Sequence, residues 1–149
     1  MSRIQLVWLH LSVALTTITG VVFAAMKYFM TGDDEFAVVN HPMQPYMLAA
    51  HVVVAPVVLF LLGWTFSNHM LPKYRFGDGS NKKTGVAQMA LIVPMALSAY
   101  LLQVSTNETM REVMAAAHWI TSGVFVVAYV VHLLLKPATA DDRSDAADA

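Results

Sequence analysis

Four long apolar runs separated by short polar segments organise the chain: Ile4 to Met30, Pro45 to Phe66, Gly85 to Val104, and Glu112 to Leu135. A helix crossing the hydrocarbon core of a bilayer needs about 20 mostly apolar residues. Each run therefore predicts one span, and the chain reads as an all-α, four-helix transmembrane bundle. The first run is much longer than the roughly 7–15 apolar residues of a secretory signal core, so it reads as a first span that stays in place. Asn68 to Lys83 is rich in Gly, Pro, Asn and charge and predicts a solvated loop. The ending ATADDRSDAADA after Pro137 is acid-rich with few apolar residues and predicts a disordered end. The expected organisation is thus a transmembrane domain over 1–137 and a polar acidic tail over 138–149, with no internal repeat.

Composition narrows the chemistry. Hydrophobic residues make up 57% of the 149 positions and charged residues 13%, about half the charge of an ordinary soluble domain, typically near 25%. The net charge of -1 argues against a nucleic-acid partner, and the absence of cysteine removes disulfides, Cys₄ iron–sulfur clusters and thiolate catalysis. Any cofactor must be held by His, Met or backbone.

Charge also orients the spans. With four helices, both termini share a side with the loop between the second and third spans. That side carries Arg3, Lys73, Arg75, Lys82, Lys83, Lys136 and Arg143; the other carries only Lys27 and Arg111, beside the acidic run Asp33-Asp34-Glu35. The positive-inside rule then places both termini in the cytoplasm, in a bacterial inner membrane, with the shorter loops outside.

Four histidines lie inside the apolar runs, where ionisable side chains are rare and usually mark a pathway or a ligand site. His118 and His132 are fourteen residues apart. That spacing turns a helix by about 1400°, close to four full turns, and climbs about 21 Å, so both leave one face at different depths. With the orientation above, His10 lies about 9 Å above Ile4 and His132 about 6 Å from Lys136, in one cytoplasmic layer. His51 lies about 9 Å below Pro45 and His118 about 10 Å beyond Arg111, in the opposite layer. The lysines and arginines that set the topology thus sort the histidines into two pairs, His10 with His132 and His51 with His118. Two facing imidazoles on bundle helices suit the iron of a flat macrocycle, and neutral imidazole is a good axial ligand for haem. Polar glue between helices accounts for one histidine as readily, but less readily for four in matched layers.

The segments LHLSVALTTITG at 9 to 20, AAHVVVAPVVLFLLGW at 49 to 64, and AHWITSGVFVVAYVVH at 117 to 132 carry this pattern. In it the chain resembles the di-haem membrane cytochrome b superfamily: the b-type subunits of bacterial formate dehydrogenases and nickel–iron hydrogenases, and the small bacterial cytochromes b561. The resemblance implies two haems b, the cytoplasmic one on His10 and His132 and the outer one on His51 and His118. It also implies electron transfer between a redox partner and membrane quinone. Family members often carry His-Trp in the first helix, whereas here Leu11 follows His10 and Trp8 precedes it. The chain has no fused catalytic domain, so it is expected to act as an electron-transfer subunit, beside a partner subunit or cytochrome in a hetero-oligomeric complex.

Other residues receive expectations of their own. Gly20, Ala24, Gly63 and Gly123 are small enough to admit a macrocycle, or simply to let helices approach. Pro56 and Pro94 are expected to kink their spans, and the ten methionines read as adaptable filler. His69, with Asn68 and Lys73, forms a candidate quinone site near the inner layer, where a histidine can donate to a carbonyl or relay its proton. His69 and His41 also read as ordinary interfacial residues. Arg3, Lys73 and Arg75 inside, and Lys27 and Arg111 outside, are candidate partners for haem propionates or plain interfacial anchors. Two other functions stay open: a haem-free anchor for a peripheral enzyme, and a histidine-based metal-ion transporter. The second is weakened by the lack of Asp or Glu deep in the spans.

Overall fold

In the computed structural model, residues 2–30, 39–76 and 82–134 are described. They form α1 (Arg3–Tyr28), α2 (Gln44–Thr65), a π-helical turn (Phe66–Met70), the short α3 (Leu71–Phe76), α4 (Lys82–Val104) and α5 (Glu108–Leu134). The protein is all-α, and four helical stretches are long and apolar enough to cross a membrane. The acidic run Asp33 to Glu35, Lys136, Arg143 and the tail over 138–149 lie outside the described residues.

The helices form two hairpins, α1 with α2 and α4 with α5. In the first, α1 buries Leu9, Ser12 and Val13, then Ala24 three turns on, and α2 buries Val58, Leu61 and Leu62. Both are i, i+3, i+4 stripes, the spacing that puts side chains on one helical face. In the second, α4 buries Gln88 and Ser98 while α5 buries Phe125 and Tyr129, whose rings stack at 6.1 Å. Most large apolar side chains point outward instead: Ile4 is 70% exposed, Val53 72%, Val93 68% and Ile120 67%. In water such a surface would be untenable, whereas lipid tails cover it at no cost.

Local sequence explains the helix ends. Ser2 opens α1 with a capping box, its hydroxyl accepting from Gln5 N–H while the Gln5 side chain accepts from Ser2 N–H. Asn107 caps α5, its Oδ1 accepting from Met110 N–H at 2.9 Å. Arg111 reaches back across the short connector, Nη1 donating to the carbonyls of Leu102 at 2.8 Å and Ser105 at 3.3 Å. It thereby satisfies C-terminal carbonyls of α4 that lack intrahelical donors. In the first hairpin Asn40 plays the matching part, its Nδ2 donating to the Lys27 carbonyl at 2.7 Å.

The segment after Phe66 differs from expectation. Asn68 to Lys83 was expected to be loop, but the helical run continues unbroken from Gln44 to Phe76. The Gly, Asp and Asn that signal a turn cluster only after Phe76, and before them LPKYRF holds a further helical turn and a half. Pro72 explains the wide turn that precedes it. Its ring would collide with the carbonyl four residues back, and a π-register bond from Leu71 N–H to the Phe66 carbonyl loosens the helix just there. Pro56 and Pro94 sit inside α2 and α4, which continue through them.

Candidate functional site

In the first hairpin His51 is half-buried, and its Nδ1 lies 2.9 Å from the Thr16 carbonyl of α1. A carbonyl only accepts, so Nδ1 carries a proton, and in the neutral ring the lone pair is then on Nε2. The approach depends on Gly20. A helical carbonyl points toward the residue four places on, and Thr16 points toward Gly20. A Cβ there would lie 2.9 Å from His51 Cε1 and 3.1 Å from its Nδ1. The missing side chain at position 20 therefore receives the imidazole of His51, the close helix approach that was one of the two roles expected of Gly20. Thr19 Oγ1 lies 3.3 Å from the same nitrogen and donates to the carbonyl of Leu15. Beside it, Thr16 Oγ1 is buried with no hydrogen-bond partner among the described residues. His10, half-buried next to the buried Leu9, lies nearly two turns before Thr16, so the two histidines of this hairpin occupy different levels.

The second hairpin treats its histidines alike. His118 is half-buried, with Nδ1 3.1 Å from the Met95 carbonyl of α4. His132 is half-buried, with Nδ1 2.9 Å from the Thr84 hydroxyl. Both imidazoles thus leave one face of α5 toward α4, as fourteen-residue spacing requires. The antiparallel run of α4 supplies Thr84 at one level and Met95 at the other. Between them Gln88, only 6% exposed, donates from Nε2 to the Ala128 carbonyl at 3.0 Å. Ser122 Oγ lies 3.4 Å from His118 Nε2, a long contact from a rotatable hydroxyl.

No protein-family model, curated protein or solved structure matches this chain. Its chemistry is therefore read from its own residues. Three half-buried imidazoles, each with Nδ1 beside a carbonyl or hydroxyl of the neighbouring helix, make a donor set suited to ligation through Nε2. Metal-binding histidines commonly fix ring and tautomer this way. Among the described residues no three His, Asp or Glu side chains gather closely enough to cage a metal ion. Each of these imidazoles is thus placed singly, on its own level of its hairpin.

The remaining candidates fall elsewhere. His41 is a turn residue: its Nδ1 accepts from Met43 N–H at 3.1 Å, and its carbonyl accepts from Gln44 N–H at 2.9 Å, shaping the entry into α2. His69 sits half-buried in the π turn with the exposed Asn68, and Lys73 follows in α3. Asn68 lines a crevice with Gln5, Leu61, Trp64 and Thr65; at about 10 Å³ it has room for one water and none for a quinone ring. Neither His69 nor Lys73 lines it. Lys27 lies over the Tyr28 ring, 5.4 Å from its centroid, and Arg111 is occupied with the end of α4. Arg3 and Arg75 are exposed. Ala24 is buried, whereas a Cβ at Gly63 or Gly123 would meet nothing within 4 Å. Thr16, Thr84, Gln88 and Met95 escaped the sequence reading. Two of them act through backbone carbonyls, which leave no residue-type signal; Thr84 and Gln88, four apart on one face of α4, were legible in principle as a polar stripe.

Proposed function

We propose that this chain is a di-haem b-type membrane protein that passes electrons between a redox partner and the quinone pool, as a subunit rather than a complete enzyme. The observation that carries the reading is the shared anchoring of His51, His118 and His132 through Nδ1 at 2.9, 3.1 and 2.9 Å. Such anchoring would hold the ring plane and leave Nε2 as the ligating atom, as ligand histidines require. His10 and His132 would hold one haem and His51 and His118 the other, a pairing that rests on depths derived from the sequence. Haem b supplies a one-electron iron couple. On this reading the chain's own residues orient the imidazoles and space them at separate levels along α5. The lipid-facing surface and the distribution of lysines and arginines support a multi-pass place in a bacterial inner membrane with both termini cytoplasmic.

The deciding experiment is a dithionite-reduced minus oxidised spectrum of the purified chain, with extracted haem counted per polypeptide. Two non-covalent low-spin b haems are expected, and none, in material expressed with haem available, overturns the reading. His10→Ala and His132→Ala should each remove one and the same haem, while His51→Ala and His118→Ala remove the other. Retention of both haems in any one variant excludes that residue as a ligand.

On the same reading the quinone end of the path lies near His69, Asn68 and Lys73, outside the water-sized crevice that Asn68 lines. His69→Ala should slow quinol oxidation with the haem spectrum intact. Unchanged turnover would remove His69 from the site.

A further inference from the structure

The two hairpins repeat one local arrangement that residue identity hides. In α1 the Thr16 carbonyl accepts from His51 Nδ1–H at 2.9 Å and from the hydroxyl of Thr19, three residues on, at 3.1 Å. In α4 the Met95 carbonyl accepts from His118 Nδ1–H at 3.1 Å and from the hydroxyl of Ser98, three residues on, at 3.0 Å. Thr16 is the fourteenth residue of α1 and Met95 the fourteenth of α4, so each carbonyl stands at the same height on the first helix of its hairpin, with the histidine on the second. Other hydroxyls also bond back to their own helix, Ser12 to Leu9, Thr17 to Val13 and Thr121 to Ala117. Thr19 and Ser98 differ in the carbonyl they reach, which is one that an imidazole of the neighbouring helix also uses. Ser98 gives its proton to Met95 from a site only 3% exposed, whereas Thr19 shares its proton with the Leu15 carbonyl at 2.8 Å.

A helical carbonyl points along the axis toward the N–H four residues on, which aims it poorly at a neighbouring helix. A hydroxyl bonding back from the next turn draws the carbonyl away from the axis and bends the helix slightly. The second lone pair of the oxygen then turns outward, where an Nδ1–H can meet it. We infer that Thr19 and Ser98 are positioning residues, each tilting the carbonyl that orients the histidine of its own hairpin. A further donor on one oxygen also competes with the imidazole, but such mutual effects change a hydrogen bond by about 10–30%. Misaim costs more, because hydrogen bonds weaken steeply as the angle closes toward about 120°. Aim therefore outweighs competition, and it fixes the ring plane that a ligating histidine needs, whatever else the ring touches. The inference goes beyond the proposed function, since it concerns Nδ1 and holds with or without an iron on Nε2.

The test is a proton–nitrogen correlation spectrum of the histidine rings in the purified full chain, isotope-labelled at histidine and reduced with dithionite, wild type beside Ser98→Ala and Thr19→Val. His51→Gln and His118→Gln assign the two Nδ1–H peaks by omission. A weakened hydrogen bond moves the Nδ1 proton upfield. The expected result is an upfield move of His118 in Ser98→Ala and a smaller one of His51 in Thr19→Val, with the other histidine unmoved in each. Ser98→Thr and Thr19→Ser, which keep the hydroxyl, should return each peak toward wild type. A downfield move would mean that the hydroxyl only competes for the carbonyl, and it overturns the inference; so do unmoved peaks, or equal moves of both histidines in one variant. Should Ser98→Ala accumulate poorly, Ser98→Cys keeps the size with a weaker donor, and the direction of the shift decides in the same way. Haem counted in the same samples reads the proposed function separately: a haem-free wild type showing the expected shifts overturns the di-haem reading and leaves the inference standing.

Discussion

At the scale of single residues, the chain places small and polar side chains where a histidine needs a main-chain partner. Gly20 shows this most directly, because the carbonyl of Thr16 can be reached by His51 only where no Cβ stands in the way. Gly20→Ala would put a methyl 2.9 Å from a ring carbon packed against α1. The expected outcome is displacement of His51, loss of the haem proposed for it, and a cost of about 1–3 kcal/mol typical of overpacking. Haem content and thermal unfolding in detergent measure both. Gly85→Ala, where a Cβ meets nothing within 4 Å, should leave haem content unchanged; equal losses in the two variants would mean that the effect is not local to His51.

At the scale of elements, the helix ends are held by side chains that reach carbonyls and N–H groups left over by helical geometry. Asn107 closes the start of α5 while Arg111, one turn later, closes the end of α4. Asn107→Ala should destabilise the α4–α5 hairpin by about 1 kcal/mol, the usual worth of such a cap. Asn107→Ser should recover most of it, read as a shift in the thermal midpoint; an unshifted Asn107→Ala would show that the cap adds nothing there. Arg111 illustrates why roles were hard to assign in advance. A lone arginine at a membrane edge suits a propionate, a headgroup or a helix end equally, and only the position of the Leu102 and Ser105 carbonyls decides among them. The π turn is similar: most of FSNHMLPKYRF falls in the segment that reads as a solvated loop, but one widened turn absorbs Pro72 and the helix goes on.

At the scale of the whole molecule, the polarity of the loops predicts how the chain lies in a membrane. In the proposed topology seven of the nine lysines and arginines, Arg3, Lys73, Arg75, Lys82, Lys83, Lys136 and Arg143, are assigned to the side of the termini. A green fluorescent reporter fused after Ala149 should therefore fluoresce, and alkaline phosphatase at the same place should be inactive; the reverse pattern would invert the proposed layers.

How much of this was legible in the chain follows from which interactions leave a trace in residue order. The four long apolar helices, the approximate ends of all but the second, and the shared face of His118 and His132 were legible, because hydrophobic run length and helical periodicity act between neighbours along the sequence. The tautomers of His51 and His118, the hydroxyl behind His132, the filling of the Gly20 notch and the clip made by Arg111 were settled by tertiary structure alone. Each depends on a main-chain or hydroxyl group of another helix, brought within about 3 Å by hairpin packing, and the backbone of one residue type looks like that of any other until the fold places it.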